Sequence, residues 1–98
     1  MKLFTALIDY PDDVLERRAP HRAAHLAYME DLRQNHRALM GGAFADPVDG
    51  AIIVYRAETV EEVRQIMRED PYGKAGLFDQ VRIREWTVVV GHPDEQAV

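Results

Sequence analysis

The chain has 98 residues, 47% apolar and 30% charged, with no cysteine and a net charge of −5. That length fits a single domain over residues 1–98, with a small core that an oligomer interface would help. The composition excludes disulfides, thiolate catalysis and cysteine-held metal centres. The acidic balance argues against nucleic acid as a partner. No run of about 18 apolar residues is present, so no membrane contact is expected. The start, MKLFTALIDYPDD, meets acid too soon for a signal peptide, and a cytoplasmic location is the expectation.

Lys2–Asp9 is a short apolar run closed by Tyr10-Pro11-Asp12, which predicts a first strand. Asp12-Asp13 then open a helical segment running to about Arg37, with acids where a helix N-terminus favours them. Pro20 interrupts it, so a kink is expected, or a short helix followed by a main one from about Pro20. Ala38–Ala45 reads as a second strand, Asp46–Gly50 as a turn and Ala51–Arg56 as a third strand. Thr59 and Glu62 form a capping box that opens a second helix to about Glu69, with Val60, Val63, Ile66 and Met67 on one face. Pro71 forbids its continuation, Tyr72–Gly76 is expected as a loop, and Gln80–Val90 as the last strand. The order βαββαβ is that of a ferredoxin-like α+β fold.

Ala51–Tyr55 is apolar on both faces, as are Leu3-Phe4 and Leu7-Ile8. Two helices cover only one face of a four-stranded sheet, so continuous apolar strands argue for burial of the other face too. The last strand changes phase: Val81 and Ile83 point one way, Trp86, Val88 and Val90 the other. A bulge, or burial of its two halves on different faces, would account for that. Both features predict a homodimer through the sheet faces.

At about 100° per residue, Met29 and Leu32 lie within about 40° of His25 on the helix wheel, so His25 points to the apolar side. Arg18 and Arg22 fall on nearly the same line if Pro20 does not rotate the helix. Alone, an inward histidine is most simply bonded to a backbone carbonyl. Asp70 ends the second helix on its apolar side, where a carboxylate opposes the helix dipole and an unpaired charge is costly. It either caps amides in Pro71–Gly73 or takes a side-chain partner. In a ferredoxin-like layout both helices lie on one sheet face, so His25 and Asp70 can meet. Such a pair fixes the imidazole tautomer and favours the imidazolium, which suits acid–base work.

Other signals are weaker. Gly41-Gly42 lacks any phosphate-loop context and fits a bend or a close backbone approach. His21 and His25 are four apart, but Arg-Ala-Ala lies between them, so no glutamate base is present and no metal is expected. Arg17, Arg18 and Arg22 are either helix ion-pair partners of Glu16 and nearby acids or an anion site. Tyr28 and Tyr72 either line a pocket or cover the core edge.

The segments His21–Leu26, Met40-Gly41-Gly42, Glu69–Leu77 and Trp86–Val89, at these intervals, resemble the YciI-like (YCII-related) family over nearly the whole chain. The resemblance implies a ferredoxin-like domain that forms a dimeric α/β barrel. It also implies a histidine–aspartate pair proposed as an active site, here His25 and Asp70, with Arg22 one turn before the histidine. The family is related in fold to muconolactone isomerases, and some members look like dehydrochlorinases of hydroxylated aromatics. Two positions depart from its usual pattern. Gly42-Ala43 stands where Gly-Pro is usual, and Asn35-His36 stands where many members carry a glycine after the first helix, a cap variation that asparagine tolerates.

The expectation is therefore a small dimeric enzyme, an isomerase or lyase, without cofactor. It would work on a small oxygenated cyclic or aromatic compound. His25 would be the base and then the acid, and Asp70 would orient it. Arg22 and Arg18 would hold an anionic oxygen, with backbone near Gly42 and the side chain of Tyr72 lining the pocket. The alternative is a small-molecule-binding or accessory module of the same fold without turnover.

Overall fold

The computed structural model describes residues 1–91. The elements are β1 (Lys2–Asp9), α1 (Val14–Arg18), a 3₁₀ turn (Ala19–His21), α2 (Arg22–Gln34), β2 (Ala38–Ala43), β3 (Gly50–Ala57), α3 (Val60–Glu69), α4 (Pro71–Lys74) and β4 (Gln80–Glu85). The four strands pair antiparallel in the order β2-β3-β1-β4. This is the ferredoxin-like layout, an α+β fold with its helices packed on one sheet face. Phe4, Ala6 and Ile8 of β1 and Ala51, Ile53, Tyr55 and Ala57 of β3 turn towards Leu32 of α2 and Val63, Ile66 and Met67 of α3, and all are buried. Among the described residues no helix is long and apolar enough to cross a membrane.

Pro20 divides the first helical segment as expected. It sits in the first positions of the 3₁₀ turn, where its missing N–H costs nothing, and α2 starts two residues later. Arg18, Ala19 and Arg22 all keep right-handed helical dihedrals, so the chain changes pitch without leaving its course. At the other end of α2, His36 N–H donates to the Arg33 carbonyl at 3.0 Å and Arg37 N–H to the Leu32 carbonyl at 2.8 Å. That is a Schellman ending, and its left-handed residue is His36, at φ 59°, not Asn35. Asn35 instead turns its side-chain amide back to the Asp31 carbonyl, at 2.8 Å.

Three boundaries differ from the sequence reading. β2 ends at Ala43 and holds a register shift between Ala38 and Met40. Residues 71–74 form a helical turn where a loop was expected, because a proline that cannot continue one helix is well placed to begin another. β4 ends at Glu85 and not at Val90. Its one neighbour, β1, begins at Lys2, and the Trp86 N–H already reaches the Leu3 carbonyl at 2.9 Å, so the ladder runs out. Val81, Ile83 and Glu85 pair with Ile8, Ala6 and Phe4 on the helix face, and the phase change falls where pairing stops. Beyond it Val89 and Val90 are 89% and 88% exposed. The capping box is half formed: Thr59 Oγ accepts from the Glu62 N–H at 3.3 Å, while the Glu62 carboxylate reaches Arg37 at 3.6 Å. His92 lies outside the described residues.

On the opposite sheet face Leu3, Leu7 and Ile52 are half-buried and Val54 is buried, beside exposed Arg82 and Arg84. The β1–β3 core therefore has apolar side chains on both sides, as the unbroken apolar strands require.

Two expected outcomes test this account. A non-glycine residue in the left-handed region is strained by about 1–2 kcal/mol. His36→Gly is therefore expected to raise the urea midpoint, by up to about 1 kcal/mol once glycine's greater unfolded-state freedom is subtracted. The second concerns Tyr28, whose hydroxyl on α2 donates to the Ile66 carbonyl of α3 at 2.6 Å. Burial, with the nearby Asp70 charge, pushes this phenol from 10.0 up to about 12. The protonated phenol is the form the fold favours, so its contribution is complete below about pH 10 and is lost as pH rises through about 12. Tyr28→Phe should cost about 1 kcal/mol at neutral pH and flatten the alkaline fall of the urea midpoint.

Candidate active site

The site forms where α2 starts and α3 ends, side by side on the sheet. At the end of α3, Asp70 leaves the helical region (φ −63°, ψ 132°) and becomes the N-cap of α4. Its Oδ1 accepts the Tyr72 N–H at 2.9 Å, with Pro71 in the first helical position. The sequence Asp-Pro-Tyr-Gly is thus a helix start placed directly after a helix end. Gly73 is needed there, because a Cβ would stand 2.1 Å from the Met67 carbonyl oxygen. The dipole of α3 disfavours a carboxylate at this point, and the amides of α4 offset that.

The same Oδ1 accepts from His25 Nδ1 at 2.7 Å. An ionised carboxylate has no proton to donate, so the imidazole proton sits on Nδ1 and Nε2 is left for a molecule in the cleft. Asp70 is 0% exposed and the His25 side chain 12%. The two alternatives for Asp70, capping and pairing, are both realised on one oxygen. Its other oxygen, Oδ2, is buried without a hydrogen-bond partner among the described residues.

Tyr72 ties the parts together. Its ring stacks on the imidazole with centroids 3.7 Å apart and planes 4° from parallel. Its hydroxyl accepts from Arg22 Nη1 at 3.4 Å. Tyr72 is 1% exposed, so its part in the cleft wall is small. Its larger role is as a wedge touching histidine, aspartate and arginine at once.

A cleft of about 480 Å³ opens between α2 and β2, lined by Arg18, Arg22, His25 and Tyr72, by Tyr10, and by apolar Leu26, Met29, Phe44, Ala51 and Ile53. Arg17 pairs with Asp13 at 3.5 Å, as helix arginines commonly do. Arg18 and Arg22 have no carboxylate partner among the described residues. Both arginines line the cleft. At the far end Arg33 is held by Glu30 through contacts of 2.8 and 2.6 Å. Arg33 holds the Glu30 carboxyl down at about 2.

The structure separates the two glycines, which the sequence reading took together. Gly42 borders the cleft through its backbone, but its register partner is Ile52, on the open sheet face, and an added Cβ would meet nothing within 4 Å. Gly41 pairs with Ile53, where a Cβ would stand 3.2 Å from that side chain. Gly41 is therefore the position that sets how closely the cleft floor packs. Sequence reasoning also missed Tyr10. Its one signal is its place at the end of β1, on the same edge as the start of α2.

Fold and site together define a ferredoxin-like α+β protein with a histidine–carboxylate pair in a basic, aromatic-walled cleft. Residues 2–87 match the YCII-related domain, and the chain belongs to that family. It is 34% identical over 95 residues to the derivative of benzaldehyde biosynthesis cluster protein C of Emericella nidulans, covering 85% of this chain and 94% of that one. Among solved structures it is similar to 5-chloro-2-hydroxyhydroquinone dehydrochlorinase of Burkholderia phenoliruptrix in complex with 2,5-dihydroxybenzoquinone. That likeness has TM-score 0.76 and 29% identity, over 87% of this chain and 93% of that one. A Deinococcus radiodurans protein assigned to the antibiotic biosynthesis monooxygenases shares the fold alone, at TM-score 0.53 and 10% identity over 94% and 96% of the two chains.

Replacing Asp70 separates its two roles. Asp70→Ala removes the cap of α4 and the partner of His25, with an expected loss of about 2–3 kcal/mol in urea unfolding. Asp70→Asn keeps the cap and should lose about 1 kcal/mol or less. In both variants the His25 Nδ1 proton, held far downfield by the carboxylate, should move upfield in ¹H–¹⁵N spectra.

Proposed function

We propose that this protein is a proton-transfer enzyme, a lyase or isomerase, acting on a small hydroxylated cyclic or aromatic compound. The observation that carries the reading is the 2.7 Å bond from His25 Nδ1 to buried Asp70, set in a cleft lined by Arg18 and Arg22. His25 and Asp70 are its catalytic residues. Arg22, Arg18, the backbone at Gly42 and the edge of Tyr72 bind the substrate.

His25 Nε2 takes a proton from a ring hydroxyl or an acidic ring carbon. Asp70 stabilises the resulting imidazolium and keeps it oriented. Negative charge collects on a ring oxygen, and Arg18 and Arg22 compensate it in a half-enclosed cleft where such interactions are stronger than in water. The proton then returns to a different atom, which is an isomerisation, or a leaving group departs with its electron pair, which is an elimination. For a chlorinated trihydroxybenzene such as the compound named for the 29%-identical neighbour, the proton taken from one hydroxyl is returned to the chlorine-bearing carbon, and loss of a second hydroxyl proton then expels Cl⁻, so that HCl is released and a hydroxyquinone remains. Nothing is oxidised by an outside reagent. The reading gains support from that neighbour's named reaction and from the quinone in its complex.

The chain works as one YCII-like domain, and we further propose that the open sheet face around Leu3, Leu7, Ile52 and Val54 is covered by a second copy, giving a dimeric α/β barrel. Sedimentation equilibrium checks this: a mass of one chain would overturn it.

The direct test is chloride release from 5-chloro-2-hydroxyhydroquinone by the purified protein. Turnover is expected, with His25→Gln lowering kcat by about 10²–10⁴-fold at a cost of about 1 kcal/mol in urea unfolding for the altered bond to Asp70. Tight binding of 2,5-dihydroxybenzoquinone with no turnover of this or related substrates would favour the binding-only module instead.

A further inference from the structure

The chain has four tyrosines, and the structure gives each a different hydroxyl environment. Tyr28 spends its proton on the Ile66 carbonyl, at 2.6 Å. Tyr72 is engaged by Arg22, at 3.4 Å, and its ring is sealed against His25. Tyr55 is sealed inside the core, 0% exposed, with no route to a ligand. Tyr10 alone lines the cleft at half-burial and makes no hydrogen bond from its hydroxyl to the described residues.

Its backbone is fixed nonetheless. Tyr10 directly follows β1, and its N–H donates to the Asp49 carbonyl at 2.9 Å, tying the strand end to the β2–β3 turn. Its ring packs against the core. The groups acting on its phenol are those of the site: Tyr72, Arg18, Asp70 and Arg22. A core-packed phenol with no hydrogen-bond partner among the described residues therefore lines the same cleft as Arg18, Arg22 and His25, and feels the charge of both arginines.

We propose that Tyr10 is a third substrate-touching catalytic group, whose hydroxyl donates a hydrogen bond to the ring oxygen that gains negative charge when His25 takes its proton. This rests on the reading of the cleft as a site for hydroxylated ring compounds, and it adds a neutral donor to the two cations. Burial pushes the phenol above its usual range, so it stays protonated and acts as a donor rather than as a second anion. A neutral donor in a cleft with two arginines has a distinct use. Arginines attract any anion, whereas a fixed O–H rewards one placement of the oxygen and so sets which ring position faces Nε2. No electron or heavy atom is transferred by Tyr10, and its proton stays on its own oxygen throughout.

The test compares wild type, Tyr10→Phe and Tyr28→Phe in titrations with 2,5-dihydroxybenzoquinone, a vinylogous acid whose visible band reports binding. Chloride release from 5-chloro-2-hydroxyhydroquinone is measured beside it. Tyr10→Phe keeps the ring and removes no protein hydrogen bond, so its urea midpoint should equal wild type. Its Kd for the quinone should rise about 10- to 100-fold, the usual value of a hydrogen bond to a charged group. Its kcat should fall by about 10²-fold or more. Tyr28→Phe should lose stability and leave Kd unchanged. Equal Kd values in wild type and Tyr10→Phe overturn the Tyr10 assignment and leave the His25 reading standing. A raised Kd in Tyr10→Phe with no turnover by wild type supports the Tyr10 contact and overturns the enzyme reading. No binding by wild type overturns both.

Discussion

One oxygen atom, Asp70 Oδ1, accepts both the first free amide of α4 and the Nδ1 proton of His25. A fully buried carboxylate would be untenable without such partners, because removing its charge from water costs several kcal/mol. The two bonds have different functions. The amide belongs to the backbone and fixes where the carboxylate is. The imidazole belongs to α2 and fixes how α2 sits against α3. The carboxylate thus orients the imidazole and also helps to hold the helices together. Tyr72 reinforces this, since the residue whose amide holds Asp70 also lays its ring flat on His25 and meets Arg22 with its hydroxyl.

The arrangement follows from how the chain turns at residues 69–73. A helix that ended at Asp70 in the usual way would point a carboxylate at its own carbonyls. Placing Pro71 next starts a second helix at once, so the same side chain faces amides instead. Gly73 makes the tight reversal possible because nothing larger than hydrogen fits against the Met67 carbonyl. Four consecutive residues, Asp-Pro-Tyr-Gly, therefore set the orientation, depth and clamp of the site.

Much of this was readable from the residues. Helix periodicity put His25 on the apolar side of α2, and the βαββαβ order brought the start of one helix beside the end of the other. Those two facts allow the pair to meet, and the 2.7 Å bond shows that it does. Pro20 marked the break between α1 and α2. Other features were hidden for stated reasons. Pro71 signals both a stop and a start, and only the backbone shows that it does both. β4 looked longer than it is because its apolar sequence continues after its partner strand has ended. Which face each glycine takes was hidden, because the register shift between Ala38 and Met40 decides it, setting Gly41 opposite Ile53 on the helix side and Gly42 opposite Ile52 on the open side. Arg18 and Arg22 read most simply as surface ion-pair partners, and what distinguishes them is that neither has a carboxylate at ion-pair distance among the described residues.

The cleft's electrostatics give its chemistry a direction. Arg18 and Arg22, without a carboxylate partner among the described residues, line the same cleft as His25, while the acid bonded to the imidazole is fully buried and out of reach of a ligand. On the function proposed above, a neutral hydroxylated ring would gain little from the arginines until it lost a proton, and most as that proton moved to His25. An interaction that grows along the reaction coordinate accelerates the chemical step, whereas one already complete in the ground state would only tighten binding. The separation of charges, with the carboxylate buried behind the imidazole and the cations lining the cleft, is what favours the proton-transfer reading proposed above over storage of an anion.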